Sequence, residues 1–258
     1  VRVVADEGSG PAAVLLHGQP GDGAEFLLVR QALRGAGLRV LTVDRPGYTG
    51  DGSPATGYAG NADAIAALLD SLGIASARIL GASWAGGAAL AFGLAYPERT
   101  DGLLLASSVG APGSIARADY VFALPVVVRG AAFAFSRLDW LLEWSSGSHF
   151  TPAARAMTRQ GSMRWRTNGG WAAFMVEQQA MVADTGPLWD RLAPFDFPCT
   201  VVQGARDLYV PVRAGRLLAG RLQTRYVEVE AGHVLHLELP ALLAAELVAL
   251  APPAALGP

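Results

Sequence analysis

Arg78-Ile-Leu-Gly-Ala-Ser-Trp-Ala-Gly-Gly87 is the stretch that decides the fold. A β-rich run ends at Gly81, Ser83 follows two residues later, and small residues open a helix behind it. A serine on such a sharp strand-to-helix turn projects its hydroxyl out of the backbone, close to helix-end amides. The turn fits only if the flanking positions are small, and here they are Gly81, Ala85 and Gly86. Ser83 is therefore a candidate nucleophile, and the chain should also supply a base, an acid and an oxyanion site. The competing reading is a Gly-rich turn that happens to contain a serine.

Working outward, short apolar runs alternate with helical patterns. Strands are predicted at Ala13–His17, Arg39–Asp44, Ala77–Gly81, Gly102–Ser107, Cys199–Gly204 and Arg225–Val229. They read as continuously apolar, as strands buried on both faces do. Helices are predicted near Glu25–Arg34, Asn61–Leu72, Ala85–Ala95, Val212–Leu222 and Pro240–Leu250. This alternation implies an α/β fold: a mostly parallel central sheet flanked by helices. One interval breaks the pattern. Residues 111–195 hold no convincing strand but five of the six tryptophans, Trp140, Trp144, Trp165, Trp171 and Trp189. The expected organisation is a core domain of residues 1–110 and 196–258 with a helical cap inserted at 111–195. Trp144, Trp165, Trp171 and Phe174 are the candidates to line an apolar substrate pocket under that cap.

Composition narrows the function classes. Of 258 residues, 52% are apolar and 16% charged, enough for a large buried core, and the net charge is −2. With no basic stripe, nucleic acid and anionic membrane are excluded as main partners. All 20 basic residues are arginine, which rules out lysine Schiff-base chemistry and a phosphate-loop lysine. Cys199 is the sole cysteine and reads as a buried structural thiol in a cytoplasmic protein. No apolar run reaches transmembrane length and no secretory signal opens the chain. No zinc spacing and no dinucleotide loop is present, so no metal and no cofactor is expected.

A serine hydroxyl needs a base, and four histidines are available. His233 follows the last predicted strand, where Gly232 would give the loop backbone freedom to reach Ser83. It is the preferred base, with His236 a packed histidine near the last helix and His149 in the insertion. Asp207, on the loop after the penultimate strand, is placed to orient His233 and favour its charged form.

Three motifs then coincide in order, and the chain resembles the α/β-hydrolase fold superfamily, in its serine-nucleophile branch with a helical cap. Its members run nucleophile, acid, histidine, as Ser83, Asp207 and His233 do here. His17-Gly-Gln-Pro-Gly21 resembles the family's oxyanion loop, and Asp44-Arg-Pro-Gly-Tyr48 the loop after the next strand. Gly204–Pro211 and Gly232–Pro240 resemble its acid and histidine loops. The resemblance implies an oxyanion hole made by the backbone N–H groups of Gln19 and Trp84, with His17 structural. Such donors contribute roughly 2.7–4 kcal/mol each when aimed at the developing charge. The Trp84 ring is expected in the pocket wall.

Three departures accompany the match. Ala85 stands where the family's Gly-x-Ser-x-Gly ends in glycine. Only Val1–Val4 precedes the first predicted strand as material for the family's hairpin, so that sheet edge is expected to be reduced or missing. Tyr48-Thr-Gly-Asp-Gly-Ser53 is longer than the usual turn. Trp84 and the His-Gly-x-Pro-Gly loop also resemble epoxide hydrolases and haloalkane dehalogenases, but those use an aspartate where Ser83 stands. The reading that results is a serine hydrolase acting on an ester or related acyl group of a small, apolar substrate. The alternatives are a lyase, cyclase or cofactor-free haloperoxidase on the same fold, and a binding protein without chemistry.

Overall fold

The computed structural model describes residues 1–115, 117–137 and 169–250. Among the described residues, seven strands form one sheet in the order β1-β3-β2-β4-β5-β6-β7. They are β1 (Arg2–Glu7), β2 (Ala12–Leu16), β3 (Arg39–Asp44), β4 (Ala77–Ala82), β5 (Thr100–Ala106), β6 (Cys199–Gly204) and β7 (Arg225–Val229). Only β1 runs antiparallel to its neighbour; every other pair is parallel. The described helices are α1 (Leu27–Gly35), α2 (Tyr58–Ser71), α3 (Ala85–Ala95), α4 (Arg117–Phe122), α5 (Pro125–Arg137), α6 (Gly170–Arg191), α7 (Val212–Leu222), α8 (Leu235–Glu238) and α9 (Pro240–Ala249).

Successive side chains of a strand face opposite ways, and two cores follow from that period. Val14, Leu16, Ile79, Leu103, Leu105 and Val201 face α2, α3 and α7. Ala13, Leu15, Leu80, Leu104 and Val202 face α1 and α9. Burying each such Leu, Ile or Val is worth about 1.5–3 kcal/mol. This explains why β2 and β4 are apolar without alternation: each is buried along its whole length.

The amino-terminal edge is reduced, as expected, to one strand in place of a hairpin, but that strand extends beyond Val4. Arg2–Glu7 is a full strand, paired antiparallel with β3 around an irregularity between Val3 and Ala5. None of its six residues is buried and three of them, Arg2, Asp6 and Glu7, are charged, so the apolar-run criterion passes over it. Charge fastens it instead: Arg39 grips Asp6 at 2.9 and 2.7 Å, and Arg2 pairs with the buried Asp44. Two helix starts also shift, those of α1 and of α2, the latter to Tyr58, whereas α9 begins at Pro240 as expected. Asp22 caps a 3₁₀ turn at Gly23–Phe26, so α1 begins only at Leu27. The last helical region is split by Leu239, with α8 ahead of Pro240.

Between β5 and β6 the described residues contain α4, α5 and α6 and no strand. Among the described residues, no helix is long and apolar enough to cross a membrane. Parallel pairing sets the carboxyl ends of β4, β6 and β7 along one edge of the sheet, and the loops that carry Ser83, Asp207 and His233 leave from that edge.

Candidate active site

Ser83 stands between β4 and α3 with φ +54°, a left-handed conformation that costs a non-glycine residue about 1–2 kcal/mol. The strain is held by the packing of strand on helix. A Cβ at Gly81 would lie 2.7 Å from Ala85 O and 2.9 Å from Ala89 Cβ, and one at Gly86 would overlap Ser108. Backbone bonds close the turn: Ser83 N donates to Ala106 O at 3.0 Å, and Val109 N to Ser83 O at 3.1 Å. Ala85, where the family pattern has glycine, is fully buried in the core without breaking this turn.

The structure brings the three predicted side chains together. His233 Nε2 lies 2.9 Å from Ser83 Oγ, and His233 Nδ1 lies 2.9 Å from Asp207 Oδ2. Asp207 also accepts from Tyr209 N at 2.8 Å, Val210 N at 2.9 Å and Gln203 Nε2 at 3.0 Å. A carboxylate in that setting only accepts, so Nδ1 carries the imidazole proton and Nε2 offers a lone pair to the Ser83 hydroxyl. Burial pushes the Asp207 carboxyl up, but His233 and the two backbone N–H groups outweigh it and hold it below its ordinary value. The Tyr209 ring packs on His233, with centroids 5.0 Å apart. The freedom expected of Gly232 is not what shapes this loop, since Gly232 is not among the glycines with positive φ. Its N–H is tied to Glu238 Oε2 at 2.9 Å, and the loop closes against Gly204, where a Cβ would collide with Ala231 and Gly232 carbonyls.

On the other side of Ser83 lies the loop of Gly18 and Gln19. A Cβ at Gly18 would stand 3.0 Å from Ser83 Cβ and 3.5 Å from its Oγ, so this backbone borders the nucleophile. His17 donates from Nδ1 to Gly18 O at 2.8 Å and accepts at Nε2 from Arg45 N at 3.1 Å. Burial, with Arg45 beside it, drives its imidazole well below the ordinary histidine range, which makes His17 a neutral structural link. Arg45 is itself fully buried and donates to His17 O and Gly18 O, each at 2.8 Å.

The counter-charge to Arg45 is a residue the sequence does not single out. Glu177, in the middle of α6, pairs with Arg45 Nη1 and takes a second bond from Nη2 at 3.1 Å. Tyr48 OH donates to the same carboxylate at 2.7 Å. Burial leaves the Glu177 carboxyl above its ordinary value although Arg45 and Tyr48 pull it down; with three donors around it, it serves as the carboxylate partner of the guanidinium. The Glu177 carbonyl also accepts from Trp84 Nε1 at 3.0 Å. The Trp84 indole is thus not exposed in a pocket wall: it is fully buried between Tyr58, Arg45 and α6.

Of the four aromatic candidates, Trp171 and Phe174 sit on the first turns of α6, ring centroids 5.9 Å apart. Trp144 and Trp165 lie outside the described residues, as does His149. His236 packs against Phe26 in α8 and does not contact Ser83 or Asp207 in the way His233 does. Cys199 is buried at the start of β6, and burial pushes its thiol up to about 12. A cavity of about 530 Å³ opens beside it at the amino ends of β6 and β7, the opposite edge of the sheet from Ser83. Among the described residues no His, Cys, Asp and Glu cluster could hold a metal ion.

Known proteins resemble this arrangement. A 2-hydroxy-6-oxononadienedioate/2-hydroxy-6-oxononatrienedioate hydrolase of Burkholderia vietnamiensis is 44% identical over 107 residues, which are 39% of this chain and 37% of that protein. The chain therefore spans little more than a third of that relative's length. A relative of the same name from Dechloromonas aromatica is 38% identical over 235 residues, 83% of this chain and 78% of its own. A solved α/β-hydrolase fold protein from Burkholderia ambifaria superposes with a TM-score of 0.78 at 22% identity, covering 95% of this chain and 92% of that one. The model of the alpha/beta hydrolase family matches residues 13–246. Because that match runs from the first parallel strand into the last helix, the chain belongs to the alpha/beta hydrolase family.

Proposed function

We propose that the protein is a serine hydrolase that cleaves a carboxylic ester, or a related activated acyl group, with an apolar portion. The observation that carries this is the continuous chain Ser83 Oγ, His233, Asp207 with both contacts at 2.9 Å. His233 Nε2 takes the Ser83 proton as Oγ bonds to the carbonyl carbon, and the carbonyl π pair moves to oxygen. The N–H groups of Gln19 and Trp84 receive that oxyanion. As it collapses, the acyl–oxygen bond breaks and His233 returns the proton to the leaving alkoxide. Water, deprotonated by the same imidazole, then releases the acid and restores Ser83. Asp207 keeps His233 in the tautomer these steps require. Residues 111–195 act as the cap, with Trp171 and Phe174 of α6 facing the substrate.

A fluorophosphonate probe followed by peptide mass measurement tests the reading. Stoichiometric labelling of Ser83, abolished by Ser83→Ala together with ester turnover, is expected. An unlabelled Ser83 in folded protein, or ester turnover that survives Ser83→Ala, would sink it.

A second reading keeps the same residues and changes the bond. It is favoured by the 38% identity to the hydrolase of Dechloromonas aromatica. The compound in that protein's name has a 6-oxo group and no ester, so its hydrolysis has to break a carbon–carbon bond beside the ketone. Supplying such a dienoate and following loss of its conjugated absorbance separates the two. Turnover of the dienoate well above that of p-nitrophenyl esters would favour the second reading.

A further inference from the structure

The Gln19 N–H belongs to the Gly18–Gln19 peptide, whose other end is held by two donors. Gly18 O accepts from His17 Nδ1 and from Arg45 Nη2, each at 2.8 Å. This peptide is trans, so its oxygen and its N–H point to opposite sides of one rigid plane. Fixing the oxygen fixes the direction of the N–H. The plane is also the one that borders the nucleophile, since a Gly18 Cβ would touch Ser83 at 3.0 Å.

Arg45 reaches the second proposed donor as well. Its guanidinium carbon lies 4.6 Å from the centroid of the Trp84 ring, and its Nε holds His17 O at 2.8 Å. A cation this deeply buried stays in place only with a counter-charge, and Glu177 supplies it from α6. Glu177 fastens Trp84 too, through its own carbonyl at 3.0 Å from the indole Nε1.

We infer that Arg45 is a positioning residue of the oxyanion site: it aims and polarises the Gln19 N–H through Gly18 O, and Glu177 of the insertion helix holds it there. The inference rests on the serine-hydrolase reading. Its physical content is that a charged donor on an amide oxygen draws electron density from that amide's N–H, and so strengthens what the N–H gives to an oxyanion. It also makes the oxyanion site depend on α6 being seated on the core.

The test compares Arg45→Lys with a paired replacement, Arg45→Met with Glu177→Leu. Three quantities are read: the rate of Ser83 phosphonylation by a fluorophosphonate, kcat and KM for p-nitrophenyl butyrate, and the thermal midpoint. Lysine keeps the charge but cannot hold His17 O, Gly18 O and Glu177 at once. Phosphonylation and kcat are expected to fall about 10- to 100-fold in both variants, because the phosphonyl oxygen uses the same donors as the oxyanion. KM should stay within about threefold, as for a group acting mainly in the transition state. The paired variant should keep a thermal midpoint near that of the wild type, since apolar replacement of a buried ion pair is close to neutral.

If the paired variant is stable and is labelled at the wild-type rate, Arg45 is merely structural and the inference is wrong. Arg45→Lys labelled at the wild-type rate overturns it equally. Wild-type protein that takes no label removes the serine-hydrolase reading, and this inference with it. Labelled wild type with unaffected variants removes the inference alone.

Discussion

Two buried carboxylates flank Ser83, and they are kept charged in opposite ways. Asp207 sits on the loop between β6 and α7, where the backbone turns its own N–H groups, of Tyr209 and Val210, toward the side chain. Glu177 sits in mid-helix, where backbone amides are engaged within α6, so its donors come from far along the chain: Arg45 and Tyr48. A loop carboxylate of the first kind keeps its two backbone donors alongside His233, which does most to hold it below its ordinary value, and can orient an imidazole through them. A helix carboxylate of the second kind needs a permanent cation. The expectation is that damage to Asp207 shows in rate and damage to Glu177 in stability. Asp207→Asn should lower ester turnover by about 10⁴-fold, because the amide favours the tautomer with a proton on Nε2, which cannot accept from Ser83. Thermal unfolding should change little. A loss of stability larger than that of a Glu177 variant would break the comparison.

Glu177→Leu is the converse. It leaves the Arg45 guanidinium buried without its counter-charge. The expected loss is about 3–5 kcal/mol, read as a shift in the urea midpoint. Adding Arg45→Met should recover most of it. If Glu177→Leu alone unfolds like the wild type, then water reaches Arg45 and the pair is not a buried one in solution.

The same contrast explains what the sequence discloses. Ser83, Asp207 and His233 each follow a parallel strand, so strand order and chain direction put them on one edge, and a local Gly-rich loop marks each. Asp44-Arg-Pro-Gly-Tyr48 carries a signal for Arg45, but its partner lies 132 residues away and has no motif around it. Glu177 looks like any glutamate on a helix until α6 is docked. The edge strand β1 escapes for another reason: none of its residues is buried, and its charged residues interrupt the apolar run by which the inner strands are read.

Burial governs the protonation of the two histidines outside the triad, His17 and His236. Burial, helped by the nearby charge of His233, pushes His236 down to about 3, although Glu25 Oε2 stands 3.5 Å from its Nε2. Its neighbour across the ring is Phe26, at 4.9 Å. An unfolded histidine binds its proton near pH 6.5, whereas folded His236 does so only near 3. The unfolded chain therefore holds more protons between those values, and stability present above pH 6.5 is lost as pH falls. At pH 5 the loss attributable to His236 is about 2 kcal/mol, and His17 acts in the same direction. Urea midpoints at pH 8 and pH 5 measure it. His236→Phe should shrink the difference between the two by that amount, and an unchanged difference would mean that His236 is not kept neutral by the fold.

The smallest expected effect falls where the two sides meet. Gly18 has no positive φ, so its backbone accepts alanine, and only the added Cβ matters. That carbon would stand 3.0 Å from Ser83 Cβ and 3.5 Å from Ser83 Oγ, so one of the two residues has to yield by a few tenths of an ångström. The Gly18 oxygen is tied to His17 and Arg45, whereas Ser83 rests on a strained turn. The serine should therefore be the one to move, away from the lone pair of His233. Gly18→Ala is expected to slow fluorophosphonate labelling about tenfold, a modest share of what an ångström of misplacement costs. The thermal midpoint should hardly shift, because the alanine also removes about 0.4–1 kcal/mol of chain freedom from the unfolded state. Labelling at the wild-type rate would mean that the Gly18 loop gives way instead, and that its hold by Arg45 is looser than the hold of Asp207 on His233.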